Sequence, residues 1–232
     1  MNFEDFYPEY LKISNYSVNL DNNFRCPLQC SACIRQTGPL KQLMKRSSDI
    51  STASYMKLIK HFHRINFCGQ ISDPIYHPNF LKQLEINSRC RNRTFIYHTT
   101  ATRKPIVWWK KAFELTNNIN HEWCFGLDGF TQEIAEKYRV NTKCEEVKEV
   151  ITLASKYKFL TIWQFIVFNH NIQEIEKVHE FCRDKKIRLL IIGSNRDSKK
   201  LKNVSVPSEY NNEKKAISAK TKYFYDGRLN VV

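Results

Sequence analysis

Three cysteines lie close together near the start of the chain, at Cys26, Cys30 and Cys33, with the spacing C-x3-C-x2-C. Thiolates bind zinc and iron–sulfur clusters, whereas paired thiols in an oxidising compartment form disulfides. A structural zinc site normally has four protein ligands, so a zinc ion here would need a fourth, for which His77 and His98 are the candidates. A catalytic cluster instead keeps one position open for a ligand from outside the protein. The spacing therefore leaves three alternatives: a zinc site, disulfides or an open cluster site.

The composition indicates a folded protein with reduced thiols. A chain of 232 residues, 42% of them hydrophobic, can bury the core of one large domain or two small ones. Disulfide frameworks belong mostly to small secreted domains, and the sequence contains neither a secretory signal nor an apolar run of about 18 residues. We therefore expect a soluble cytoplasmic protein without a membrane partner. The other five cysteines are predicted to be buried or free thiols: Cys68, Cys90, Cys124, Cys144 and Cys182.

The formal charge of +14 would suit an acidic partner, such as a nucleic acid. However, the lysines are spread over many segments, which is typical of solvated helix faces and loops. A nucleic-acid partner therefore stays open and is not favoured.

Helical stretches alternate with short runs rich in branched and aromatic residues, a rhythm typical of βα units. The first helix is predicted to have Asp49 or Ser51 as its N-cap, and the second to have Pro78 in its first turn. In the third helix, Trp108 or Trp109 is predicted to pack against the sheet. Six strands are predicted at 17–20, 65–69, 94–98, 121–127, 160–168 and 187–193. Five helices are predicted at 49–65, 77–88, 105–115, 144–158 and 171–186.

This order of elements predicts an α/β fold whose parallel strands form a partial (β/α)6 TIM-like barrel. The barrel is predicted to span residues 1–196, followed by a short tail at 197–232 with a hairpin around Asp226 and Gly227. In such folds ligands bind outside the carboxyl ends of the strands. The loops expected to line one site are those after Leu20, Gly69, His98, Leu127, Phe168 and Gly193.

The cysteine segment, placed after a first strand, resembles that of radical S-adenosylmethionine (radical SAM) enzymes, and the similarity extends from about Asn19 to Arg196. The resemblance implies that Cys26, Cys30 and Cys33 are catalytic metal ligands, which bind one four-iron four-sulfur (4Fe-4S) cluster. S-adenosylmethionine (SAM) would bind the fourth iron. In that family an electron from the cluster cleaves SAM, and the resulting 5′-deoxyadenosyl radical abstracts hydrogen from a substrate. A reductant such as flavodoxin or ferredoxin is then implied.

Two further segments resemble SAM-binding parts of the family. The stretch FCGQISDPIYHPNF (67–80) is similar to the glycine-rich segment after the second strand, whose backbone carbonyls receive the methionine ammonium group. Glycine allows close approach of the backbone to a ligand. The stretch YHTTATRK (97–104) resembles the segment after the third strand. The resemblance implies that these segments contribute the following residues to SAM binding: Gly69, Gln70, Ser72, Asp73 and Thr100.

Two more segments extend the resemblance. FGLDGFTQEIAEKYRV (125–140) is similar to a Ser-Leu-Asp-Gly segment followed by an arginine, in which serine and arginine hold the methionine carboxylate. Arg139 matches that arginine, whereas Gly126 replaces the serine, and Asp128 either turns the chain or reaches the substrate. Gln164 and Asn169 occupy the fifth-strand position that flanks adenine and ribose.

The chain is similar to the SPASM or twitch branch of the family, which binds auxiliary clusters through cysteines in a C-terminal extension. No cysteine follows Cys182, so we expect one cluster and a tail that resembles a truncated SPASM or twitch hairpin. Small enzymes of this kind resemble phage-encoded radical SAM proteins, which would act in the host cytoplasm. The expected substrate is a peptide or protein side chain. The alternatives are a nucleobase or deazapurine precursor, and a non-catalytic iron–sulfur or zinc protein that binds nucleic acid.

Overall fold

The computed structural model describes residues 17–36 and 48–193, together with the backbone of two short strands at 223–225 and 229–230. The predicted hairpin turn at Asp226 and Gly227 lies outside the described residues, as does the predicted boundary between residues 196 and 197. The barrel-and-tail division of the chain therefore stays a prediction.

The strands form one sheet in the order of the sequence, from β1 to β8. Neighbouring strands from β1 to β6 are parallel, whereas β7 pairs with β6, and β8 with β7, in antiparallel fashion. This topology confirms the predicted α/β fold with its six parallel strands, in an open sheet. The strands are β1 (Ser17–Asn19), β2 (Arg64–Phe67), β3 (Thr94–Thr99), β4 (His121–Gly126), β5 (Leu160–Val167), β6 (Arg188–Gly193), β7 (Tyr223–Tyr225) and β8 (Leu229–Asn230).

The described helices lie between the parallel strands. Ser51 caps the first of them by accepting a hydrogen bond from the backbone N–H of Ser54. Ser51 is one of the two residues predicted as the N-cap of this helix. Several predicted helix bounds were wrong. The helix predicted at 144–158 ends at Ala154, and the one predicted at 171–186 is Ile175–Asp184. The first helix ends at His61 because Arg64 begins β2, and the second begins after Pro78, with Asn79 as its N-cap. The helices are α1 (Thr52–His61), α2 (Phe80–Ser88), α3 (Ile106–Leu115), α4 (Gln132–Tyr138), α5 (Cys144–Ala154) and α6 (Ile175–Asp184).

Helix α4 was not predicted from the sequence. It has only seven residues, which is too short for a clear apolar period. The Thr131 hydroxyl caps it by accepting from the backbone N–H of Ile134, and Arg139 is its C-cap residue. The helix therefore sets the position from which the Arg139 side chain reaches the sheet.

Aromatic rings fill the layer between the sheet and the helices. Trp109 is fully buried and packs edge-on against Trp123, with 5.6 Å between ring centroids. Trp123 in turn stacks on Phe125 in the same strand at 6.2 Å. Rings of this size bury about 150–250 Å² each and dominate core energetics. The prediction that one of the two adjacent tryptophans packs against the sheet is thus confirmed for Trp109.

None of the eight cysteines is in a disulfide in this structure. Across the described part of the chain, no helix has the length and apolarity needed to cross a bilayer.

Candidate functional site

A cavity of about 470 Å³ opens at the carboxyl ends of the parallel strands. Its volume is in the range of sites that hold small molecules and cofactors. The cavity is lined by residues from each of the strands β1 to β6 or from the loops that follow them. Cys26, Cys30 and Cys33 are all among its lining residues. A second depression, of about 500 Å³, lies outside the barrel among lysine and glutamate side chains of the helix surfaces.

Backbone hydrogen bonds hold the cysteine loop at both ends. At its start, the Asn23 side chain donates to the backbone oxygen of Asp73, and the backbone N–H of Asp73 donates to the carbonyl of Arg25 over 2.7 Å. Further along, the N–H groups of Gln29 and Ser31 donate to carbonyls at the end of α4 and just beyond it. The loop is therefore fixed to two other parts of the site, although it has little regular structure of its own.

The thiols of this loop fit a thiolate-bound cluster. None is in a disulfide. Burial, followed by the charge of Asp73, raises the pKa of Cys26 to about 12, so the thiolate there would need the positive charge of bound iron to form. Among the described residues, no three His, Cys, Asp or Glu side chains converge on a point that would hold a single metal ion. A four-iron cluster takes each thiolate on a different iron, so three thiols that line one cavity separately fit such a cluster.

His77 does not fit the role of a fourth zinc ligand. Its Nε2 atom lies 3.0 Å from the carbonyl oxygen of Ile50, and its Nδ1 atom accepts from the backbone N–H of Asn79. Both ring nitrogens therefore already have backbone partners. His98, the other candidate, lines the cavity at the end of β3.

The loop after β2 is held in place by Asp21, a residue that the sequence analysis did not single out. One carboxylate oxygen of Asp21 accepts from the backbone N–H groups of Ile71 and Ser72 and from the Ser72 hydroxyl, at 3.2, 3.1 and 2.7 Å. Gly69 has a φ of 58°, and a Cβ atom there would lie 3.2 Å from the Ser72 carbonyl. Glycine is favoured by this backbone conformation. Gln70, which is exposed, also lines the cavity.

Asp73 lies at the cavity wall, and its carboxylate is occupied by protein donors. One oxygen accepts from the hydroxyls of Thr99 and Thr100 and from the backbone N–H of Thr100, and the other accepts from the backbone N–H of Ile75. Burial raises the pKa of Asp73, while these hydrogen bonds act against that rise. The arrangement makes Asp73 and Thr100 a link between the loops after β2 and β3.

Arg139 and Asp128 form a buried ion pair. The Nε atom of Arg139 donates to Asp128 over 2.6 Å, and the other Asp128 oxygen accepts from the backbone N–H of Ile166. Burial by itself would lower the pKa of Arg139, but the charge of Asp128 and their hydrogen bond raise it. Arg139 lines the cavity beside Gly126, whereas Asp128 lies behind it. Asp128 therefore positions Arg139.

Gln164 and Asn169, the two residues expected to flank adenine and ribose, lie in different surroundings. Gln164 lines the cavity, where its side-chain oxygen accepts a weak 3.5 Å hydrogen bond from the Cys124 thiol. Asn169 is exposed and lies outside the cavity lining. The buried polar residue of this loop is instead Asn171, whose side-chain nitrogen donates to the carbonyls of Asp128 and Ile166.

Several lining residues were missed by the sequence analysis. Asn19 and Asn66 pair across β1 and β2, with a 2.9 Å hydrogen bond between their side chains. Arg35, two residues after the last cysteine of the motif, and Cys68 also line the cavity. The signal available in the sequence was an asparagine in each of two neighbouring strands, Asn19 at the end of β1 and Asn66 one residue before the end of β2. The carboxyl ends of parallel strands meet at one edge of the sheet.

Comparisons with known proteins show a shared fold at low sequence identity. No family model matches the sequence, and no curated protein matches it. SuiB of Streptococcus suis, in a crystal structure bound to its precursor peptide SuiA, has a TM-score of 0.62 and 11% identity over 82% of this chain and 42% of SuiB. The same protein, in a crystal structure bound to S-adenosylmethionine, gives a TM-score of 0.60.

Two further solved structures share the fold. Methylornithine synthase (PylB) has a TM-score of 0.54 and 14% identity over 82% of this chain and 56% of its own. TsrM from Kitasatospora setae, a radical S-adenosylmethionine methyltransferase, has a TM-score of 0.53 and 11% identity over 82% and 36%. At these identities the likeness establishes the fold. The chain spans about two fifths of the length of SuiB.

Proposed function

We propose that this chain is a radical SAM enzyme with one 4Fe-4S cluster held by Cys26, Cys30 and Cys33. The observation that carries the proposal is the single cavity in which these three thiols meet the loop of Gly69 and the guanidinium of Arg139. Fold similarity to a radical SAM methyltransferase and to a SAM-bound enzyme supports it.

Each part of the cavity has a proposed role in holding SAM. When bound, the cluster supplies the electron for reductive cleavage of SAM to methionine and a 5′-deoxyadenosyl radical. The loop held by Asp21 presents the Gly69 and Gln70 backbone to the methionine ammonium group. Arg139 faces the methionine carboxylate with donors suited to that geometry. Gln164 binds the nucleoside part.

The proposed substrate is a peptide or protein side chain whose reacting part is uncharged. SuiB, which shares the fold, has been solved with its precursor peptide. Within the described lining of the cavity, the carboxylate is that of Asp73, and both of its oxygens already accept hydrogen bonds. A cationic substrate side chain would therefore find no carboxylate without hydrogen-bond donors in the described lining. Asn19, Asn66 and Gln164 offer neutral hydrogen-bonding groups instead.

Anaerobic reconstitution with iron and sulfide tests the proposal directly. The wild-type chain should gain the visible absorption of a 4Fe-4S cluster and, after reduction by dithionite, convert SAM to 5′-deoxyadenosine. Serine variants of Cys26, Cys30 and Cys33 should lose both signals, whereas Cys90→Ser, remote from the cavity lining, should retain them. A reconstituted chain that forms no 5′-deoxyadenosine, even with candidate substrates, contradicts the proposal.

The substrate class is tested by isotope transfer. Peptide and nucleoside fractions from cells grown on deuterated amino acids or deuterated nucleosides are supplied separately to the reduced enzyme. Hydrogen abstraction from a peptide should place deuterium in 5′-deoxyadenosine with the labelled peptide fraction. Deuterium from the nucleoside fraction would favour the nucleobase alternative.

The remaining assignments are part of the same proposal. Flavodoxin or ferredoxin would supply the electron in the cytoplasm, where the eight cysteines, none of them in a disulfide, would stay reduced. Residues 1–196 would form the catalytic barrel, and the tail at 197–232 would be a truncated hairpin of the SPASM or twitch type.

A further inference from the structure

Two guanidinium groups lie close enough to the cysteine loop for their charges to act on its thiols. Arg139 interacts electrostatically with Cys30, and Arg35 with Cys26. The charge of Arg139 is already balanced, because Asp128 accepts a 2.6 Å hydrogen bond from its Nε atom. These two cations are therefore not equivalent.

Among the described residues, no carboxylate forms an ion pair with Arg35. It belongs to a short 3₁₀ helix, Ile34–Gln36, that directly follows Cys33. Its side chain lines the cavity, and its Nη1 atom is buried without a hydrogen-bond partner. A buried guanidinium donor without a partner is costly, so a ligand of the cavity should supply the missing negative charge.

The nearby carboxylate does not meet this need. The charge of Asp73 also acts on the Cys26 thiol. However, the Asp73 oxygens accept hydrogen bonds from Thr99, Thr100 and Ile75 rather than from Arg35. The anion that must arrive at this end of the cavity is the cluster itself, since three thiolates give a 4Fe-4S site a net negative charge that grows by one on reduction.

We propose that Arg35 is the counter-charge of the cluster and raises its reduction potential. This inference rests on the proposed function, because it requires the cluster at Cys26, Cys30 and Cys33. One electron moves from an external reductant to the cluster, and Arg35 stays protonated on both sides of the step. A fixed positive charge stabilises the reduced state more than the oxidised state, because the reduced state carries one more negative charge.

A redox titration of the reconstituted chain, without SAM, tests the inference. The midpoint potential is measured by electron paramagnetic resonance for wild type, Arg35→Gln and Arg35→Lys. At a given potential, Arg35→Gln should have a reduced-to-oxidised ratio on the order of tenfold lower, which is about 59 mV for one electron. Arg35→Lys should stay near wild type. Arg89→Gln is the matched control, since it removes one exposed positive charge at the C-cap of α2.

Each other outcome has a defined meaning. A fully loaded Arg35→Gln variant with an unchanged potential overturns the inference, and weaker SAM binding by that variant would then assign Arg35 to the methionine carboxylate. If Arg35→Gln and Arg35→Met both fail to hold iron while Arg35→Lys holds it, the positive charge is needed to retain the anionic cluster, in support of the inference. If all three variants lose iron, the inference is overturned, because the site then needs the size and shape of the arginine side chain and not its charge alone. Failure of the wild type to form any cluster rejects the proposed function instead.

Discussion

The guanidinium group of Arg139 lies directly against the Cα atom of Gly126. A Cβ atom at position 126 would be 2.8 Å from one terminal nitrogen of Arg139 and 3.0 Å from its central carbon. On its other side, Arg139 is held by Asp128 through the 2.6 Å hydrogen bond. The arginine therefore occupies a slot made by the missing side chain of Gly126 and the carboxylate of Asp128. In the resemblance to radical SAM enzymes Gly126 replaced a serine, and the close approach of Arg139 is a physical reason for glycine here.

Replacing Gly126 with alanine should therefore displace Arg139. Overpacking of a buried site costs about 1–3 kcal/mol, so the free energy of unfolding should fall by that amount. Denaturant unfolding at equilibrium measures the loss. The control is the same change in an Arg139→Gln background, where the shorter side chain should leave room and the additional cost should be small. An equal cost in both backgrounds would show that Arg139 does not fill the slot.

Asp128→Asn should destabilise the fold through Arg139. The variant keeps the size of the side chain but leaves a buried guanidinium without its counter-charge, a change that costs roughly 3–5 kcal/mol. Denaturant unfolding should show the loss, and the double variant Asp128→Asn with Arg139→Gln should recover part of it. If the single variant is as stable as wild type, the ion pair is not the element that holds Arg139.

Asp21→Ala should loosen the loop that carries Gly69. The carboxylate accepts from two backbone N–H groups, so its removal should speed hydrogen exchange at Ile71 and Ser72 and lower the free energy of unfolding by about 1.5–3 kcal/mol. Exchange followed by mass spectrometry measures the first effect. The matched control is Asp49→Ala, since Asp49 pairs with the half-exposed Arg25 and should leave these amides unchanged. Equal exchange in wild type and Asp21→Ala would remove Asp21 from this role.

The burial of His121 beside Tyr97 should make the free energy of unfolding depend on pH. The Tyr97 hydroxyl lies 3.0 Å from the Nδ1 atom of His121, and burial lowers the pKa of His121 to about 4 from an ordinary 6.5. The unfolded chain therefore binds more protons between these values. The contribution of neutral His121 is complete above pH 6.5 and is lost as the pH falls towards 4, on the order of 3 kcal/mol.

Unfolding free energies between pH 4 and 7 should show this loss in the wild type, and His121→Gln should flatten that part of the profile. His63→Gln is the control, because His63 is exposed and should leave the profile unchanged. A profile with the same slope in His121→Gln would assign the acid sensitivity to other groups.

Local patterns in the sequence were enough for the order of the six parallel strands and of the helices between them other than α4. Period-two and period-3.6 apolar runs mark β3, β4 and β5 and their helices, because each element must turn one apolar face to a shared core. The position of the cysteine motif after β1, and the rule that ligands bind at the carboxyl ends of parallel strands, were also readable from local order. Helix α4 escaped because seven residues carry too little periodicity, yet it places Arg139.

Tertiary packing sets which side chains face the cavity and which contact other side chains. Asp73 and Thr100, which the resemblance implied as SAM contacts, also hydrogen-bond each other, and Asp128, expected to turn the chain or reach the substrate, accepts a hydrogen bond from Arg139. Asp21 and Arg35 carried no distinctive local signal. Asp21 matters because its hydrogen bonds join segments that are far apart in the chain. Arg35 matters because its positive charge has no ion-pair partner among the described residues. Such partners are set by how the loops pack at the sheet edge, so the sequence determined the scaffold and the cysteine motif, and packing determined the electrostatics around it.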